Sequence, residues 1–256
     1  MLLTIDVGNT QTHIGMYRGT DLDEHWRFAT RREATGDELA IMLVNLLALK
    51  GHELKDVDGA IVSSVVPQLA HEYEGVSERY FAGALMVVGP GVRTGIPIRT
   101  ENPHEVGADR LVNAVAAYDR VGAACVVVDF GTTINYDIVS DEGELLGAIF
   151  TPGVEISLEA LATRAARLPK IDIEPPRELI GRSTVTAIQS GIVYGFAGQV
   201  DGIVGRLREE MGSEITAIAT GGLASSIAPF CDQIDETDDR LTLTGLRLVW
   251  ERNRAQ

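Results

Sequence analysis

Two short segments of this 256-residue chain carry the same set of reactive groups. Asp6-Val7-Gly8-Asn9-Thr10 follows the apolar run Leu2-Leu3-Thr4-Ile5, and Asp129-Phe130-Gly131-Thr132-Thr133 follows Cys125-Val126-Val127-Val128. Each is a strand signal ending in Asp-x-Gly, a polar residue and Thr. The Gly lets a bound group approach the backbone, while Asn, Thr and backbone N–H groups donate hydrogen bonds, a combination that suits phosphate. An Asp does not hold phosphate directly. It suits a hydrated Mg²⁺, which takes one or two carboxylates and keeps its waters. One such turn is equally a hairpin turn with a capping Asp. Two in matching contexts predict a duplicated unit whose turns face each other across a cleft. No Walker pattern is present, so this is not a P-loop protein.

A third constellation is Glu105-Val106-Gly107-Ala108-Asp109-Arg110. On a helix the adjacent Asp109 and Arg110 point about 100° apart and do not form an i,i+4 pair. The carboxylate would take a proton from a substrate hydroxyl, with Arg110 and the helix-start N–H groups binding an anion. The plainer reading is a first-turn Asp that complements the helix dipole beside a solvated Arg. Thr220-Gly221-Gly222 is a further Gly-rich strand end, where an adenine ring would fit against bare backbone or a plain turn would do. The five histidines show no metal-ligand spacing, and no Ser-His-Asp arrangement can be argued.

The length suits two domains. Hydrophobic residues are 45% and aromatics 5%, so Val, Ile, Leu and Ala must build the cores. The net charge of −15, with no Lys/Arg stripe, excludes a nucleic-acid footprint. A polyanionic ligand then needs a cation, backbone donors and a few placed side chains, while most carboxylates serve solubility. Asp6 interrupts the N-terminal apolar run too early for a signal peptide, and no stretch reaches the ~18 apolar residues of a membrane span. Cys125 and Cys231 are too far apart in sequence to suggest a motif, and Cys125 lies in an apolar run. A reduced, cytoplasmic protein without membrane contact is expected.

The elements that must position these groups repeat in order. Strands are expected at Leu2–Val7, Thr12–Tyr17 and His25–Ala29, then a helix at Asp37–Leu49, a strand at Gly59–Val66, a helix from Pro67 and a strand at Ala84–Val88. A connecting helix is expected at Val106–Val121. Strands follow at Cys125–Phe130, Ile134–Ser140 and Leu145–Phe150, helices at Ser157–Leu168 and Thr184–Met211, a strand at Ile215–Ala219 and a closing helix at Leu243–Asn253. The symmetry is one of halves, with the domains expected at 1–118 and 119–256.

Taken together, Asp6–Thr10, Gly107-Ala108-Asp109-Arg110, Asp129–Thr133 and Ile188-Gln189-Ser190-Gly191 resemble, in order and spacing, the type III pantothenate kinase family. Ser63-Ser64-Val65-Val66-Pro67, Thr220-Gly221-Gly222-Leu223 and Leu241–Leu246 extend the resemblance over essentially the whole chain. It implies membership of the acetate kinase, sugar kinase, Hsp70 and actin superfamily. The implied fold is α/β, with two ribonuclease-H-like domains, each a mixed sheet flanked by helices, and ATP in the interdomain cleft. The implied activity is ATP-dependent phosphorylation of pantothenate, the first step of coenzyme A synthesis, by a homodimer that needs K⁺ or NH₄⁺.

Carried onto this chain, the resemblance makes Asp109 the catalytic base. Asp6, Val7, Gly8, Asn9, Thr10, Gln11, Thr12 and His13 line the phosphate loop, with Asp6 near Mg²⁺. Asp129 binds the monovalent cation and Thr132 contacts ATP. Gly107, Ala108, Asp109 and Arg110 meet pantothenate, and Thr184 completes that pocket, from the same chain or its dimer partner. The chain departs from the family pattern at Thr100, a substrate-pocket position where many members have Tyr, and at Ile134, where a Thr often follows the two threonines. Two other readings stand beside this one: a kinase or phosphatase of the same superfamily with another substrate, and a non-catalytic regulator like the Bvg accessory factors.

Overall fold

The computed structural model describes residues 1–164, 171–212 and 214–254. The chain opens with β1 (Leu2–Val7), β2 (Gln11–Arg18) and β3 (Asp21–Ala29), then α1 (Gly36–Ala48), β4 (Gly59–Ser64), α2 (Pro67–Tyr80) and β5 (Leu85–Val87). These strands form one sheet in the order β3-β2-β1-β4-β5. The β1–β2–β3 meander is antiparallel, while β4 and β5 run parallel to β1. After α3 (Ala108–Val121) the pattern recurs with β6 (Cys125–Phe130), β7 (Thr133–Val139) and β8 (Leu145–Pro152). Then come α4 (Val154–Arg164), α5 (Thr184–Met211), β9 (Thr216–Thr220), the short α6 (Ala224–Ile227), β10 (Glu236–Thr237) and α7 (Leu241–Arg254). The second sheet runs β10-β9-β6-β7-β8, the same order and directions as the first. The chain thus holds two ribonuclease-H-like sheets with helices, and the expected duplication is present.

Each sheet is explained by its apolar patterning. The central strands β1, β4, β6 and β9 read as near-continuous apolar runs, as strands covered on both faces do. In the first unit Leu3, Ile5, Ile14 and Met16 pack with Leu39, Leu43 and Leu47 of α1 and with Leu69, Tyr73 and Val76 of α2. In the second, Val126, Val128, Phe130 and Tyr136 pack with Val193, Val200 and Val204 of α5. Capping boxes fix the starts of α1 and α5, where Thr35 and Ser183 accept from the N–H groups of Glu38 and Thr186. Gly212, left-handed at φ 63°, ends α5.

Several boundaries differ from expectation for local reasons. β3 begins at Asp21 because Gly19 (φ 60°) and Thr20 make a two-residue hairpin turn. β4 stops at Ser64, whose Oγ accepts from the Val66 N–H at 3.0 Å and donates to the Val66 carbonyl. α3 begins at Ala108, two residues later than expected, because Pro103–Glu105 forms its own 3₁₀ turn and Val106 leaves it extended. α4 begins at Val154, three residues early, and the expected stretch 165–168 lies outside the described residues. The two-residue β10 had no signal.

Compact units do not follow the halves of the chain. The first contains Met1–Ile96, Asn102–Ala116 and the segment from Thr242 on; the second contains Pro97–Glu101 and Ala117–Leu241. The closing helix α7 therefore packs with the N-terminal sheet. Its Gly245 lies against α3, where a Cβ would collide with the Val112 carbonyl, and Thr242 Oγ1 donates to Asn113 Oδ1 at 2.7 Å. Among the described residues, no helix is long and apolar enough to cross a membrane.

Gly245→Ala should force α7 off α3 and destabilise the protein by about 1–3 kcal/mol. Gly75→Ala, within α2 where an added Cβ meets nothing, should instead gain roughly 0.5–1 kcal/mol. Thermal unfolding of both variants beside the parent checks the contrast, and equal melting temperatures would refute the close α3–α7 packing.

Candidate active site

In the first unit the site is built at the C-terminal end of β1. Sheet register sets Asp6 between two polar neighbours, His13 on β2 and Ser63 on β4. Ser63, fully buried, donates its Oγ proton to Asp6 Oδ1 at 2.5 Å. Beyond β2, Arg27 of β3 pairs in register with His13. Burial pushes the Asp6 carboxyl from an ordinary 3.8 up to about 7; the Ser63 hydrogen bond opposes the rise, the nearby Asp109 carboxylate adds to it, and Arg27 opposes it. Asp6 and Asp109, far apart in sequence, are therefore electrostatic neighbours.

The turn after β1 is tight. Gly8 N–H donates to the Gln11 carbonyl at 3.0 Å, which lies where a Cβ would be crowded. Asn9, Thr10 and Gln11 are exposed, whereas Val7, Thr12 and His13 are buried beneath them. Thr30 N–H holds the Thr10 carbonyl at 2.9 Å, and Thr12 and Thr30 share a hydroxyl hydrogen bond of 2.9 Å. His13 Nε2 meets His25 Nδ1 at 3.1 Å. Arg32 reaches the loop from outside, donating to Asn9 Oδ1 at 2.9 Å.

Asp109 sits in the first turn of α3, partly buried, and its Oδ1 is buried without a hydrogen-bond partner. Gly107 lies directly against that oxygen, leaving no room for a Cβ. Ala108 and Arg110 flank it and are partly buried. An orphaned carboxylate oxygen is costly in a fold and is expected where a ligand supplies the proton donor.

In the second unit Asp129 occupies the position of Asp6 on its sheet. Its register partners are Asn135 on β7 and Thr220 on β9. Gly221, left-handed at φ 93°, brings its backbone against Asp129 and Phe130. Gly131 N–H donates to the Thr133 carbonyl at 3.1 Å, repeating the Gly8 turn in outline, and Thr132 is exposed at its tip. Thr100 is partly buried with its hydroxyl unpartnered, on the segment Pro97–Glu101 that hydrogen-bonds to Leu145. Thr184 is the exposed first residue of α5.

Sequence reasoning placed Asp6 and Asp109 in one site but missed the roles of Ser63, Arg27 and Arg32. The register gives the first two: β1 pairing with β4 sets Ser63 beside Asp6, and β2, which sets His13 beside Asp6, pairs His13 with Arg27 of β3. Arg32, in the loop after β3, carried no signal.

A divalent cation fits this carboxylate. Asp6 is held near its proton-binding midpoint by burial, and a cation beside it would restore the ionised form. Among the described residues no cluster of three His, Cys, Asp or Glu side chains forms a cage by itself. That suits Mg²⁺, which uses one or two carboxylates with substrate phosphates and water.

The two sheets and strand-end carboxylates define a duplicated ribonuclease-H-like protein. Solved structures share this fold: component A of (R)-2-hydroxyglutaryl-CoA dehydratase from Acidaminococcus fermentans has a TM-score of 0.58 at 14% identity, covering 97% of this chain and 95% of that one. A protein from Campylobacter jejuni assigned to the Baf family of transcriptional activators has a TM-score of 0.61 at 17% identity, covering 99% of this chain and all of that one. At these identities the likeness is one of fold. Residues 2–206 match the model of the type III pantothenate kinase family. The type III pantothenate kinase of Streptomyces coelicolor is 51% identical over 99% of this chain and 98% of its own length. That of Moorella thermoacetica is 47% identical over 99% and 100%. The chain belongs to the type III pantothenate kinase family.

The raised carboxyl of Asp6 makes stability depend on pH with a definite sign. Between about pH 4 and 7 the folded state holds a proton that the unfolded state releases, so stability falls as pH rises and levels off above about 7. Asp6→Asn should remove that slope, its melting temperature gaining on the parent most at about pH 8 and least near pH 4. Melting curves in chelator across that range test this, and parallel curves for the two proteins would contradict it. Mg²⁺ should stabilise the parent more at pH 8 than at pH 6, and the Asn variant at neither.

Proposed function

We propose that the protein transfers the γ-phosphoryl group of ATP to the primary hydroxyl of pantothenate, giving 4′-phosphopantothenate, the first step of coenzyme A synthesis. Family membership over the full chain supports the reaction. The observation that carries the mechanism is the unpartnered, buried Oδ1 of Asp109 beside the Asp6 carboxylate.

Phosphoryl transfer needs mainly positioning and charge neutralisation. Asp109 accepts the hydrogen bond of the substrate hydroxyl, aims its oxygen at phosphorus, and takes the proton late, when that oxygen has begun to bond. Because a carboxylate is a weak base, this late transfer is the one open to it. Arg110, one residue along α3, pairs with the pantothenate carboxylate, and the N–H groups at the start of α3 add to that anion site. The unpartnered hydroxyl of Thr100 serves as a donor or acceptor to the same substrate. Gly8, Asn9, Thr10 and Gln11 offer backbone and side-chain donors to the phosphates, and Thr132 contacts ATP. Asp6, oriented by Ser63, would hold Mg²⁺, which supplies neutralisation of charge on the β- and γ-phosphates when bound. The location proposed for such an enzyme is the cytoplasm, where its substrates are.

Two finer parts of the proposal have separate support. Asp129, with Gly221 backbone pressed against it, is the candidate ligand of K⁺ or NH₄⁺. The homodimer draws on α5, where Gly191, Gly195, Gly198, Gly202 and Gly205 recur at three- and four-residue spacing and share one face. A Cβ at four of these five would meet nothing within 4 Å, so a second helix can approach the backbone closely there.

An assay with ATP and pantothenate, with and without K⁺, tests the function; no phosphopantothenate under either condition would overturn it. Asp109→Asn should keep nucleotide binding and lose about 10²–10⁴ in turnover; near-parental turnover would remove Asp109 from its role. Asp129→Ala should abolish stimulation by K⁺, and an unchanged K⁺ dependence would remove that site. Gly195→Leu should shift the protein from dimer to monomer in light scattering, with its helical circular dichroism retained; an intact dimer would clear the α5 face of that role.

A further inference from the structure

Asn9 lies exposed at the tip of the loop after β1, and its Oδ1 accepts from Arg32 at 2.9 Å. Arg32 is held there by its own segment. Thr30 N–H donates to the Thr10 carbonyl at 2.9 Å and the Thr30 hydroxyl pairs with that of Thr12, so the chain leaving β3 is tied to the phosphate loop. Ala34 N–H then closes a turn on the Arg31 carbonyl at 3.1 Å, with Arg32 and Glu33 at its two central positions. Thr35, next in the chain, caps α1. A segment anchored at both ends thus presents Arg32 to Asn9. The preceding Arg31 has another neighbour: its charge acts on Glu38, the acid of the α1 capping box. In a chain of net charge −15, Arg32 is bonded to an amide oxygen and, among the described residues, pairs with no carboxylate.

The contact has a direction. An arginine side chain carries only donors, whereas an asparagine amide has an accepting oxygen on one side and a donating NH₂ on the other. Facing Arg32, the amide must turn its oxygen to the guanidinium, which leaves the Nδ2 protons turned away from Arg32 and, among the described residues, without a partner. Phosphate oxygens accept, so a loop that binds them needs that donating side. An untethered amide at the loop tip would rotate between presenting its NH₂ and presenting its oxygen, which repels phosphate. The cationic partner also polarises the amide and makes its N–H groups better donors. We propose that Arg32 is a positioning residue for nucleotide binding: it fixes the Asn9 amide so that Nδ2 donates to the phosphates of ATP. This role depends on the loop being the phosphate site of the proposed kinase.

The test uses the full chain and a cycle of Arg32→Ala, Asn9→Ala and the two together. Two quantities are read: KM for ATP, and the dissociation constant of ATP with Mg²⁺ by calorimetry. Ordering one polar side chain before binding is worth roughly three- to tenfold in affinity, so Arg32→Ala should raise both quantities by that factor. Its kcat at saturating ATP, KM for pantothenate and melting temperature should stay near the parent's. Asn9→Ala should weaken ATP at least as much. Adding Arg32→Ala to Asn9→Ala should cost less than about a further twofold, because the arginine acts through the amide. Arg31→Ala removes the same charge from the same turn and should leave ATP affinity near the parental value, since exposed charges are screened by salt. Equal losses from Arg32→Ala with and without Asn9 would overturn the proposal, because Arg32 would then act on ATP by itself. An Arg31→Ala loss as large as that of Arg32→Ala would overturn it as a general effect of charge, and so would an unchanged ATP affinity in Arg32→Ala. If the parent binds ATP but forms no phosphopantothenate, the pantothenate kinase reading fails while calorimetry still decides the role of Arg32.

Discussion

The parallel pairing of β1 with β4 is the constraint on which the active-site arrangement rests. It sets Asp6 opposite Ser63 and hands a carboxylate at the end of a buried strand one strong hydrogen bond. A one-residue slip would turn the whole apolar set of β1 to the wrong face, so the core that holds Leu3 and Ile5 also holds Asp6 in place. Burial raises the carboxyl, and the nearby Asp109 raises it further. Two like charges held together in a poorly solvated place are a cost to the fold that cations and phosphates can relieve. The same arrangement that is electrostatically unfavourable on its own suits a metal–nucleotide pair.

Duplication supplied this geometry twice, and the residues flanking it have diverged. Asp6 faces His13 and Ser63; Asp129, at the matching point, faces Asn135 and Thr220. The first carboxylate has a second acid for a neighbour and cations on β3 and beyond. The second has backbone from a left-handed glycine against it. Asn135 and Thr220 stand beside Asp129 in register, whereas Asp6 has a second carboxylate nearby, an arrangement that suits Mg²⁺ and phosphates. The sheets are alike because apolar patterning and turn chemistry are alike; the sites differ because only a few side chains at strand ends need to.

How legible all this was depends on the range of the interaction. The strands carrying Asp6 and Asp129 could be read because an apolar run ended by Asp-x-Gly has few other meanings. The span of α5 was read to the residue because its ends carry a capping box and a left-handed glycine. The start of α3 was misjudged because Pro103 begins a separate turn, a competition between two local signals. Asp109 itself looked as much like a dipole-complementing residue as a base. Only the packing of α3 near β1 shows that its Oδ1 is buried and unpartnered.

The placement of α7 was the least legible feature and bears directly on the chemistry. A helix that closes the chain after the second sheet would be expected to cover that sheet. Instead it packs with the first unit, its Gly245 against the Val112 backbone and its Thr242 hydroxyl on Asn113 of α3. Asp109, the proposed base, is thus carried on a helix gripped from behind by the last segment of the chain. Exposed Asn9, Thr10 and Gln11 can adapt to phosphates, but a general base must be held within a fraction of an ångström of its proton. Returning the final helix to the first unit gives α3 a packing partner that the N-terminal sequence lacks, and a rigid element on which Asp109 can stand.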